Sequence, residues 1–190
     1  MTEKKKKNTK PEINILDRID ADDGLAILKM LAKEDTSLLK RIEDAAMEYF
    51  SEVEVEDIAD GVFYELDSLE VEDVWDQSGS TRYGYVDPNE KAWEMLEDAI
   101  ESYLVELKKY QELKKEEEAK KYCMGILKGI YRFEKESKNE FKDWAADAPG
   151  DNFERVFDKW KEHCTNPNDI KEMKEFVKKN FPGWEIPEDR

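Results

Sequence analysis

Apolar residues recur along this chain at intervals of three, four and seven, the spacing of a helix that buries one face. Ile13, Ile15, Leu16 and Ile19 open the series. Leu25, Leu28, Leu31 and Ala32 follow on one face of "DDGLAILKMLAKE", and Leu38, Leu39, Ile42, Ala45, Ala46, Tyr49 and Phe50 mark the next helix. Asp35, Thr36 or Ser37 can cap that helix, because a short oxygen side chain accepts from the exposed N–H groups of a first turn. A third stripe comprises Val55, Ile58, Ala59, Val62, Phe63, Leu66 and Leu69, and a short one at Val71, Val74 and Trp75 stops near Gly79.

Two long stripes occupy the middle of the chain. One runs from Ala92 and Trp93 through Leu96, Ala99, Ile100, Tyr103, Leu104 and Leu107; the other holds Ala119, Tyr122, Cys123, Ile126, Leu127, Ile130 and Tyr131. Their connection near residues 111–115 predicts a long antiparallel hairpin. Asp87, Pro88 and Glu90 start the first of these helices: the aspartate caps, and the proline stands where its missing N–H would be unpaired anyway. Three shorter helices follow, near 139–146, 152–164 and from Pro167 onward behind the cap Asn166, with Pro149–Gly150 expected to end the first of them. No period-two run of Val, Ile and Thr exceeds a few residues, so strands are not expected.

The pattern predicts an all-α protein of antiparallel helical hairpins, arranged as an α-solenoid-like array or an irregular bundle, without a tetratricopeptide or ankyrin consensus. Residues 1–10 are expected to be a disordered basic tail, 11–184 a single helical domain with sub-blocks 11–79 and 87–184, and 185–190 a frayed tail. Within this pattern, the segment around Val74–Arg132, with "VWDQSGSTRYGYVDPNEKAWEMLEDAIE" and "EEEAKKYCMGILKGIYR", resembles a helical segment of a family of uncharacterised prokaryotic proteins. That resemblance covers about a third of the chain and implies a helical fold and no particular activity.

Charge narrows the partners. The 190 residues carry a formal charge of −17. Setting aside the five lysines and one glutamate of residues 1–10 leaves −21. From Ile42 to Thr81 there are 14 acidic residues and no lysine or arginine, whereas Lys108 to Phe181 is nearly balanced. Such a body repels nucleic-acid phosphates and anionic membranes and favours a cationic protein partner, or serves solubility alone. With no secretory leader, no long apolar run and only Cys123 and Cys164, the reading is a cytoplasmic chain with free thiols.

Candidate chemistry is thin. His163 is the single histidine, and with two cysteines it is one ligand short of a structural zinc site. The segment Asp17–Leu28 fails the calcium-loop pattern, so Asp20, Asp22 and Asp23 read as helix-start acids. Glu94, Glu97, Asp98 and Glu101 share a helix face that could serve acid–base work but reads more simply as solvated. Gly125 and Gly129 imply close approach of a neighbouring helix, and the five tryptophans read mostly as core. No cofactor or metal is expected.

Three functions remain: a non-enzymatic interaction scaffold, an acidic nucleic-acid mimic or regulator that binds a basic partner, and, least supported, a carboxylate-based enzyme. The candidate contacts are Arg82, Tyr83 and Tyr85 in the connection Ser80–Val86, and Trp184 after Pro182–Gly183, since Tyr, Trp and Arg dominate binding hot spots. Against that, Tyr83 and Tyr85 are expected to pin their loop to the core. The sequence leaves oligomeric state open.

Overall fold

The computed structural model describes residues 15–82 and 84–186, so the basic N-terminal tail, Ile13, Tyr83 and residues 187–190 lie outside the described residues. The chain is predominantly all-α. Its elements are a 3-10 turn at Ile15–Arg18, then α1 (Ala21–Glu34), α2 (Thr36–Tyr49), α3 (Val55–Asp67), α4 (Val71–Gln77), β1 (Gly79–Thr81), β2 (Gly84–Val86), α5 (Pro88–Glu112), α6 (Glu116–Glu136), a 3-10 turn at Glu140–Asp143, α7 (Ala148–Lys161) and α8 (Pro167–Asn180). The chain divides into two compact units, Met1–Tyr49 and Phe50–Arg190.

In the first unit, the Asp20 carboxylate accepts from the Asp23 N–H at 2.8 Å and starts α1. Asp35 is the sole residue between the helices: its N–H closes α1 on the Leu31 carbonyl, and its carboxylate caps α2 by accepting from the N–H groups of Ser37 and Leu38. Both helices form where the apolar spacing places them.

The second unit is built around α6, which packs against α3, α5, α7 and α8. Ten of its residues are buried, over an arc of roughly 220°, as befits a helix with several neighbours. Its tightest neighbour is α3, 70 or so residues earlier. Gly125 faces Ile58 and Gly129 faces Val62; a Cβ at either glycine would stand 2.5 Å from the facing side chain. The same four-residue step repeats in the flanking ion pairs, Lys128 with Glu56 and Arg132 with Asp60. Increasing numbers pair with increasing numbers, so α3 and α6 run parallel. The expected turn between α5 and α6 is present, closed by Lys114 in the left-handed region (φ 57°) and by the Lys115 N–H donating to the Tyr110 carbonyl.

Three local expectations change. Pro149 and Gly150 do not end a helix; they lie in the first turn of α7, where a proline loses no hydrogen bond. The helix expected at 139–146 is a four-residue 3-10 turn. Asn139 fixes its start: its amide donates to the carbonyls of Asp67 and Leu69 while its oxygen accepts from the Phe141 N–H. The connection after Gly79 is a small antiparallel ribbon with Ser80 opposite Tyr85 and Thr81 opposite Gly84.

Candidate interaction site

Among its described residues, the first unit has helices without a core. Neither α1 nor α2 contains a buried residue. On α1, Leu25, Ile27, Leu28, Met30 and Leu31 are all exposed, with Leu28 at 42% and Met30 at 52%. At about 100° per residue these five side chains sweep an arc of roughly 220°. A helix with so wide an apolar arc is normally covered on more than one side. On α2, Leu38 and Ile42 are half-covered, but Leu39, Ala45 and Ala46 are exposed along the same stripe. The sequence marks these stripes as core; the structure leaves them facing solvent.

The residues singled out in the connection are divided differently. Arg82 is exposed, in the turn after β1; Tyr83 lies outside the described residues. Tyr85 is 70% exposed and does not pin the ribbon to the core. The reason is geometric. A lone two-stranded ribbon lacks a second layer, so the face carrying Ser80 and Tyr85 stays in water. Trp184, the remaining candidate, is half-buried and packs edge-on against Phe153 (4.8 Å between centroids) and Tyr131 (5.4 Å), fastening the chain after α8 to α6 and α7. Trp75 departs from the core reading too: it is more than half exposed and makes an edge contact with Trp144 at 4.8 Å.

The carboxylate face of α5 is engaged in ion pairs. Arg155 of α7 binds Glu97 at 2.8 Å and Glu101 at 3.3 Å, and Lys91 binds Glu94 at 3.0 Å. Nothing in the sequence singles out Arg155, because its partners lie more than fifty residues away. Lys120 was missed for the same reason. Its side chain is nearly buried, and its ammonium meets Asp169 and Glu172 at 2.7 Å and Glu117 at 2.8 Å. Burial works to lower its pKa; the three carboxylates outweigh that and raise it.

Both thiols are held in their neutral form. Burial pushes Cys123 well up. Cys164 is also raised by burial, although a backbone hydrogen bond from Asn166 works the other way. A raised thiol is a poor nucleophile at neutral pH. Cys164 and the exposed His163 border a cavity of about 230 Å³ with Glu116, Thr165 and Asp169. Among the described residues, no three His, Cys, Asp or Glu side chains are placed to hold a metal ion. A second, open cleft of about 540 Å³ is lined by Glu134, Asp147, Asp151, Glu154 and Glu185 over Phe153 and Trp184. Among the described residues no helix is long and apolar enough to cross a membrane.

Compared with protein-family models, curated proteins and solved structures, the chain matches none.

Proposed function

We propose that this protein is a non-enzymatic interaction module, in which the second unit is the folded scaffold and α1–α2 is the docking element. The observation that carries this reading is the absence of any buried residue in two amphipathic helices that display Leu25, Leu28, Leu31 and Leu39. Exposed contiguous apolar surface of this kind marks a binding face more often than it marks plain surface. The second unit supports the reading from the other side: its polar chemistry is spent on ion pairs between helices, and its thiols are neutral.

Site-specific photocrosslinking in cells tests it. A photoreactive residue at position 28 is expected to capture a protein, whereas the same residue at Val105, exposed on α5, is expected to capture little. Equal capture at the two positions, or crosslinks from position 28 only into the second unit of the same chain, would remove the reading.

The carboxylate-lined cleft beside Phe153 favours a second reading, in which the acidic surface receives a basic partner. Such an association weakens steeply as salt is raised. Binding that is indifferent to salt excludes it.

A further inference from the structure

We infer that the partner of α1 is α1 of a second copy of this chain, docked antiparallel to form a homodimer; this rests on the reading of α1–α2 as the docking element. Ala21, Leu25, Leu28 and Ala32 follow steps of four, three and four, the a/d spacing of a two-helix seam. All but the half-covered Ala32 are exposed. Along one border of this seam, one position beyond Ala21 and Leu28, stand Asp22 and Lys29, seven residues apart.

That border selects the partner. In an antiparallel self-pairing each edge of the seam faces the same edge of the copy. Asp22 then faces Lys29 of the second copy, and Lys29 faces Asp22 of the second copy. A parallel pairing would set this edge against Gly24 and Leu31, which carry no charge. The remaining acids of α1, Asp23 and Glu34, fall on the back of the helix at 100° per residue and do not oppose the contact.

The apolar surface of the seam comes from Leu25 and Leu28, bordered by Leu31, which are 50%, 42% and 38% exposed; Ile27 and Met30 point to the back of the helix with Glu34 and Asp23. A seam this narrow lies at the small end of interfaces. A concentration-dependent dimer is the expected state.

Sedimentation velocity of the full chain over a wide concentration range tests the inference. The wild type is expected to pass from monomer to dimer. Leu28→Glu is expected to abolish the dimer while circular dichroism keeps its helical signal. Asp22→Lys alone and Lys29→Asp alone each place like charges together twice by symmetry, and each is expected to weaken the dimer roughly tenfold. The double swap Asp22→Lys with Lys29→Asp is expected to restore it. A dimer untouched by Leu28→Glu, or a double swap no better than the singles, overturns the antiparallel self-pairing. So does a wild type that stays monomeric at every concentration. In that last case hydrophobic-dye binding separates the two readings. Dye bound by wild type and lost in Leu28→Glu leaves α1 as a docking face for a different protein. No dye, with slow hydrogen exchange over residues 25–31, means the chain covers the face itself, and both readings fall.

Discussion

Lys120 sits among more negative charge than it neutralises. One ammonium holds Asp169, Glu172 and Glu117 together, and with them the α6–α8 contact. Its pKa is raised in the folded state, so its contribution is fully present below the unfolded value of about 10.4 and is lost only as pH rises through the folded one. Stability from this group is therefore flat through neutral pH. Lys120→Met leaves three carboxylates without a counter-charge and is expected to cost about 2 kcal/mol at pH 7. Urea denaturation of the variant beside the wild type checks this; an unchanged midpoint would contradict it. What could be read from sequence at this scale was local. Asp20, Asp87 and Asn166 cap helices as their spacing implies, because a cap is decided within three residues. The partners of Lys120 and Arg155 are decided by which helices meet, and no local pattern encodes that.

Between elements, the α3–α6 contact turns on two missing methyl groups. Alanine at Gly129 would gain helix propensity of about 1 kcal/mol, yet its Cβ would stand 2.5 Å from the Val62 Cβ and 2.8 Å from the Ala59 carbonyl. The backbone oxygen cannot swing aside, so overpacking is expected to win, with a net loss of about 1–3 kcal/mol in denaturant titrations. Lys114 offers the opposite change. It is exposed and holds φ at 57° in the α5–α6 turn. Lys114→Gly relieves a left-handed side chain, and despite the entropy glycine adds to the unfolded chain it is expected to stabilise by about 0.5 kcal/mol. An unchanged or lower denaturation midpoint would contradict that. The helices themselves were legible because a 3.6-residue period needs no partner to be seen. The glycine pair announced close approach, but not that α3 was the helix approaching. The start of α7 was misread because proline and glycine both end and begin helices, and only the packing of Phe153 and Val156 selects which. The ribbon at Gly79–Val86 escaped because three-residue strands fall below any periodic signal.

For the whole molecule, the two units differ in what holds them. The core residues, from Val53 to Phe181, all belong to the second unit. In the first, α1 and α2 have helix caps and no buried side chain. Local opening free energies should therefore separate. Amide exchange at low protein concentration is expected to be fast across α1 and α2 and slowest in α6. Cys123, fully buried, should label with thiol reagents only through global opening of the second unit, while Cys164 labels earlier. Matching labelling rates for the two cysteines would contradict a single cooperative core around α6. The apolar pattern of α1 and α2 shows the limit of sequence reading at this scale. The pattern states that a face must be covered and does not state by which molecule.

The parallel pairing of α3 with α6 also sets a schedule. Arg132 lies 72 residues after Asp60. At translation rates of about 5–20 residues per second, α3 leaves the ribosome roughly 4–14 s before its partner exists. For that interval Ile58 and Val62 lack the cover that α6 provides, and the stretch that carries them, Ile42 to Thr81, has 14 acidic residues and no lysine or arginine. Its charge keeps waiting nascent chains apart until α6 arrives to close the core.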